Sequence, residues 1–109
     1  MMLGDIIVYM ASTKEYRDYI LEQLKVAGFD DVVCRPMMGE YLLYVDGALV
    51  GGIYDDRLLV KKVLGNEEFS MEEAIPYPGA KAMWLVGEVD DAKALAEIVR
   101  TTVGGLKRE

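Results

Sequence analysis

Histidine is absent from the chain, which removes the commonest general base and the commonest transition-metal ligand. The reactive groups that remain are one thiol and a scatter of carboxylates. Cys34 is the only candidate thiol nucleophile, and activating it needs a neighbouring base or a positive field. Arg35 is adjacent, but on a strand it points to the opposite face, so Cys34 reads as a buried structural residue. Aspartates recur as Asp30-Asp31, Asp55-Asp56 and Asp90-Asp91. Oxygen clusters of this kind can hold Mg²⁺ or Ca²⁺. None follows a calcium-loop spacing, however, and each pair falls where a turn or a helix cap favours aspartate. Glycoside-type chemistry needs two carboxylates facing each other in a cleft; Glu40 with Asp55 or Asp56 is the available pair, and nothing in the sequence brings them together. P-loop, G-x-G-x-x-G, G-x-S-x-G and Cys/His metal signatures are all missing. The expectation is a protein without catalytic residues, metal or cofactor.

The elements that must hold these residues begin with a well-marked helix. Ser12-Thr13-Lys14-Glu15 has the form of a capping box, with the Ser12 hydroxyl accepting from the Glu15 amide and the Glu15 carboxylate reaching back. Tyr16, Tyr19, Ile20, Leu24 and Ala27 follow at helical spacing, and Gly28 supplies a left-handed stop. A helix over 13–27 is predicted. Val32-Val33-Cys34 leads into a sheet, with Pro36 confined to an edge or a bend because it cannot donate to a ladder. From Arg35 to Lys62 the chain reads as three short strands joined by tight turns at Asp46-Gly47 and Asp55-Asp56, the first being a strong type I′ hairpin signal.

Two-residue loops fix a register for this meander. Val45 then faces Ala48, Leu43 faces Val50 and Tyr41 faces Gly52; across the second turn Tyr54 faces Arg57, Gly52 faces Leu59 and Val50 faces Lys61. One face carries Leu42, Tyr44, Leu49, Ile53, Leu58 and Val60. The other carries Tyr41, Leu43, Val45, Val50, Tyr54 and Leu59. A sheet with one wet side alternates apolar with polar, and this one is apolar on both. Helices can cover one face; the other calls for a further element or a second chain, which makes a homodimer the expectation. Gly51-Gly52, inside a strand, marks a bulge or a close approach. It leaves room for a packed helix or a large neighbour such as Tyr41, or for a ligand lying against bare backbone.

Beyond Leu64 the sequence turns polar and suggests a loop with a short helix over Asn66–Glu73. Pro76-Tyr77-Pro78-Gly79-Ala80-Lys81 is a rigid turn-rich loop, exposed and aromatic, and a fair contact site for a protein. Met83-Trp84-Leu85-Val86 reads as a short buried strand. A last helix starts near Asp90-Asp91 and carries Leu95, Ile98, Val99, Thr102, Val103 and Leu106 on one stripe, with Gly104-Gly105 expected to fray its end. Met37-Met38 with Tyr41 and Tyr44 serve either as core filling or as an adaptable surface.

Length and charge bound the function. A chain of 109 residues makes one domain with a real core, and its 52% hydrophobic and 28% charged residues are those of a globular protein. No apolar run approaches the roughly 18 residues of a membrane span. The start, Met1 to Tyr9, lacks a basic region and is broken by Asp5, a poor signal peptide. A lone cysteine fits a reducing cytoplasm. Nineteen acidic against 12 basic residues give a net charge of −7, whereas duplex binding draws on a basic face. Lys61-Lys62 and Lys107-Arg108 are too short to make one, so direct DNA binding is disfavoured.

Four separated words carry a family likeness. Met10-Ala11-Ser12-Thr13-Lys14-Glu15-Tyr16, Arg35-Pro36-Met37-Met38-Gly39-Glu40-Tyr41, Gly51-Gly52-Ile53-Tyr54-Asp55-Asp56-Arg57 and Pro76-Tyr77-Pro78-Gly79-Ala80-Lys81, in that order, resemble the N-terminal domain of the TfoX/Sxy family, which includes bacterial regulators of natural competence. The resemblance runs from Met10 to about Val103. It implies a two-layer α+β fold with an antiparallel sheet in the order α-β-β-β-α-β-β-α, similar to the secretion-chaperone arrangement; a second late strand would then lie near Ile75–Tyr77. It divides the chain into an N-terminal extension, 1–9, and a single domain, 10–109, with Met10 where family members typically begin. Full-length regulators carry a further C-terminal domain beyond this region. The implied role is a non-enzymatic, cytoplasmic interaction domain that touches protein partners, transcription machinery among them, rather than DNA or membrane. The alternative is a small-molecule binding protein using the Gly51-Gly52 strand and its neighbouring tyrosines.

Overall fold

The computed structural model describes residues 11–108; the extension assigned to residues 1–9 lies outside them. Helix α1 (Lys14–Val26) is followed by strands β1 (Val32–Met37), β2 (Glu40–Val45), β3 (Ala48–Ile53) and β4 (Leu58–Val60). A 3₁₀ turn (Asn66–Phe69), strands β5 (Glu72–Ala74) and β6 (Met83–Leu85) and helix α2 (Ala92–Arg108) complete the chain. The strands form one antiparallel sheet in the order β1-β2-β3-β4-β6-β5. The class is α+β, as expected. The middle helix of the expected order is only a 3₁₀ turn, and the meander has four strands because Val32–Met37 pairs along its whole length with β2. The second late strand lies at Glu72–Ala74 rather than at Ile75–Tyr77, its exposed Glu72 and Glu73 paired with Leu85 and Trp84 of β6.

Helix α1 starts one residue later than the capping-box reading. Thr13, not Ser12, is the N-cap, its hydroxyl accepting from the Tyr16 amide at 3.1 Å. The Ser-Thr pair offers two frames, and tertiary contacts choose between them. Ser12 is buried, with its hydroxyl accepting from the Asp56 amide at 3.1 Å and donating to the Ile53 carbonyl at 3.4 Å. The carboxylate that closes the box comes from Asp56 in the β3–β4 turn, which accepts from the Thr13 amide at 2.7 Å. Gly28, at φ 103°, ends the helix as predicted.

Both two-residue turns form with positive φ at both positions: 51° and 82° at Asp46-Gly47, 55° and 53° at Asp55-Asp56. The β2–β3 register departs from simple alternation. Val45 faces Ala48, but Leu43 faces Gly51 and Tyr41 faces Ile53, with a bulge between Leu43 and Tyr44. The extra β3 residue exchanges the faces of everything after it. Ile53, Leu58 and Val60 therefore join Tyr41, Leu43, Val45 and Val50 in the core with Ile20 and Leu24 of α1 and Leu95, Ile98, Val99 and Val103 of α2. Leu42, Tyr44, Leu49 and Leu59 take the other face.

Asp91 caps α2, its Oδ1 accepting from the Lys93 and Ala94 amides at 3.1 Å each. The helix runs on through Gly104-Gly105 to Arg108 instead of fraying there. A Cβ at Gly105 would come within 2.5 Å of Val63 Cγ2, so this glycine lets α2 lie directly on the chain leaving β4. Asn66 ties that corner together. Its Oδ1 accepts from the Val63 amide and the Trp84 indole, both at 3.1 Å, and its Nδ2 donates to the Lys61 carbonyl at 2.8 Å and the Thr102 hydroxyl at 3.0 Å.

Candidate functional site

The described residues of the four sequence words, from Ala11 onward, meet at one end of the sheet. The Ser12 amide donates to the Gly39 carbonyl at 2.9 Å, and Thr13 and Ser12 hold the Asp55-Asp56 turn as described. Arg57 reaches on to the loop after β5, with Nη2 3.2 Å from the Ile75 carbonyl and Nε 3.0 Å from the Tyr54 carbonyl. The Tyr54 and Tyr77 rings lie 6.2 Å apart. Met38 and Gly39 form the β1–β2 turn with positive φ, 52° and 86°. Much of the vocabulary is thus explained by turns and by the contacts that lock them.

The wiring folds the 75–82 loop over the sheet face opposite the helices, and between loop and sheet lies a cleft of about 640 Å³. Its floor is Leu42, Leu49, the Gly51 backbone and Tyr54; its wall is Pro76, Tyr77, Ala80 and Met83; Met37 stands at one end. Pro76 is buried while Tyr77 is 44% exposed, so the loop expected to be wholly exposed is half wall and half surface. Pro78 and Gly79 are exposed, and Lys81, also exposed, lines the cleft. The charged side chains among the described lining residues are Lys61, Lys62 and Lys81.

The double glycine has a packing role. A Cβ at Gly52 would sit 2.4 Å from the Tyr41 carbonyl oxygen and 2.9 Å from the Tyr54 ring, and one at Gly51 2.0 Å from the Leu59 carbonyl oxygen. The large neighbour is Tyr54, whose ring packs against Gly52, whereas Tyr41 turns into the core with the Arg17 guanidinium 5.3 Å from its ring centre. Gly51 also presents its backbone to the cleft, so close approach and ligand access coexist at this strand.

Outside the cleft, this face carries the exposed side chain of Val33, and Arg35 lies 5.8 Å over the Tyr44 ring. Met38, in the adjoining turn, is 96% exposed. Pro36 sits in β1, an outermost strand among the described residues, where its missing N–H costs least.

The reactive groups are placed as follows. Cys34 is half-buried against the core, and burial pushes its thiol up, with Arg17 opposing; such a thiol is a poor nucleophile at neutral pH. The structure does bring Glu40 beside Asp55, which the sequence did not reveal. Burial is the main cause that raises the Glu40 carboxyl above its ordinary range; the neighbouring Asp55 charge adds to this, while the Asp55 backbone and Arg57 hold it down. Asp56 is spent on Thr13 and Asp91 on its helix. Among the described residues no group of three or more acidic or cysteine side chains could hold a metal ion, and no helix is long and apolar enough to cross a membrane.

Sequence reasoning missed Asn66, read as part of a polar loop, and the pairing of Arg57 with Ile75. An asparagine followed by two glutamates gives no local sign that it is fully buried.

No protein-family model and no solved structure matches the chain. A protein of Spirochaeta aurantia, described as an uncharacterised 12.7 kDa protein in the trpE 5′ region, is 40% identical over 73 residues. The matched segment spans 64% of this chain and 64% of that relative.

Proposed function

We propose that this chain is a non-enzymatic interaction domain, similar to the TfoX/Sxy N-terminal domain, that acts in the cytoplasm through protein contacts in gene regulation. One observation carries the reading: both helices pack on a single sheet face, and the opposite face presents apolar Val33, Met37, Leu42, Tyr44 and Leu49 beside the exposed Met38. An apolar surface of this kind, rimmed by charge, favours association. A second copy of the chain is the first partner, and a component of the transcription machinery the next. The lone, half-buried Cys34 suits a reducing compartment.

Light scattering at micromolar concentration is expected to give a dimer, and the Val33→Lys/Met37→Lys double variant a folded monomer; a monomeric wild type removes the homodimer. Capture from native lysate then addresses the other partner. A polymerase subunit or transcription regulator recovered by the wild type and lost from the double variant supports the regulatory role.

The cleft beside Gly51 and Tyr54 favours a second reading, a small-molecule binding protein. Its volume falls within the range of about 300–1,000 Å³ common for ligand sites, and its lining is mostly apolar.

A further inference from the structure

We propose that the cleft between the outer sheet face and the 75–82 loop takes a small organic anion with an apolar body, a carboxylate on an aliphatic chain. The proposal rests on the small-molecule reading of that cleft and supplies its ligand class. Charge is the deciding observation. Acidic residues outnumber basic ones 19 to 12 in this chain, yet the charged residues that line the cleft, among those described, are three lysines. Lys62 is already engaged, ion-paired with Glu73 and lying 4.4 Å over the Trp84 ring. Lys61 and Lys81 have no ion-pair partner among the described residues. Lys61 is on the chain leaving β4 and Lys81 on the loop that leads into β6, the strand paired with β4.

The rest of the lining defines the body of the ligand. Leu42 and Leu49 form a smooth aliphatic floor, and Met37 and Met83 are side chains that adapt to an unbranched chain. The head group follows from what the lysines are. An ammonium is a point charge on a flexible stem, suited to a single carboxylate, whereas a phosphate site calls for an arginine fork or a cradle of backbone amides. No arginine is among the described lining residues: Arg57 is spent on the Tyr54 and Ile75 carbonyls that hold the loop in place, and Arg35 lies over the Tyr44 ring. Lys61 is half-buried, so its charge acts in a medium less polar than water, where it discriminates more strongly.

The test compares octanoate, octanol and octylammonium, which share one chain and differ in charge, by amide chemical-shift titration of the full chain. Octanoate is expected to shift the amides of Leu42, Leu49 and Lys61 and to bind about tenfold more tightly than octanol, the usual worth of one charge-assisted contact. Octylammonium should bind less tightly than octanol. The Lys61→Gln/Lys81→Gln double variant should lower octanoate to the octanol level and leave octanol unchanged. Added salt should weaken octanoate alone. Equal binding of octanoate and octanol overturns the anion assignment while leaving the cleft a binding site. If none of the three shifts the cleft amides, the small-molecule reading itself fails.

Discussion

Two side chains show how much rests on single groups in this protein. Asn66 is completely buried and makes all four of the hydrogen bonds described for its amide, two to the chain leaving β4, one to β6 and one to α2. Asn66→Ala would strand the Val63 amide and the Trp84 indole inside the protein, and each orphaned donor costs about 1–3 kcal/mol. A loss of roughly 2–4 kcal/mol in urea unfolding, with an unchanged slope, is the expected result. A loss below about 1 kcal/mol would show that water replaces the amide. Glu40 acts in the opposite sense. Burial lifts its carboxyl above the ordinary value of 4.5, so the folded state holds the proton more tightly than the unfolded one. Stability from this group is therefore present at low pH and is lost as pH rises through the raised folded value. Glu40→Gln is expected to be at least as stable as the wild type at neutral pH. The difference should close as pH falls to the ordinary carboxylate range, read from thermal midpoints across pH. An advantage that grows on acidification would reverse the sign and the assignment.

Helices and strands were legible wherever their cause is local. Gly28 as a stop, Asp46-Gly47 as a type I′ turn and Asp91 as a cap follow from backbone chemistry that a few neighbouring residues decide. What the sequence hid depends on distant partners. The α1 cap falls on Thr13 because Asp56 comes to it from a turn 43 positions away, and the bulge at Leu43/Tyr44 reassigns Ile53, Leu58 and Val60 to the core without any local mark. The same holds for the cleft: Tyr54, Gly51 and the Pro76–Lys81 loop were visible as unusual residues, but contacts between distant residues, Arg57 with Ile75 and Tyr54 with Tyr77, place the loop over the sheet. The two glycines of α2 test this distinction directly. Sequence makes them equivalent helix weakeners, whereas a Cβ at Gly104 meets only the end of the Arg108 side chain at 3.7 Å and one at Gly105 strikes Val63. Gly104→Ala should raise stability by about 0.5–1 kcal/mol through helix propensity. Gly105→Ala should lower it by roughly 1–3 kcal/mol through overpacking, despite the same propensity gain. Equal effects from the two substitutions would mean that α2 is free to move away from Val63.

The molecule as a whole places its core on one side of the sheet and its open apolar surface on the other, under a net charge of −7. That charge bears on the other route open to the proposed regulatory role, touching DNA itself. Non-specific duplex affinity comes from cations that neutralise phosphates, about 6–10 of them in proteins that bind well. The 12 basic residues here are dispersed and partly committed. Arg17 pairs with Asp18 and Lys62 with Glu73, and Arg57 holds the 75–82 loop. Long-range repulsion from 19 carboxylates opposes any remaining patch. Titrating a fluorescent duplex with the protein at physiological salt is expected to leave anisotropy unchanged up to about 0.1 mM, the weak end of non-specific binding. Saturation at micromolar concentration would mean that the field of the whole chain had misjudged a local basic surface, and would move the regulatory contact from protein to DNA.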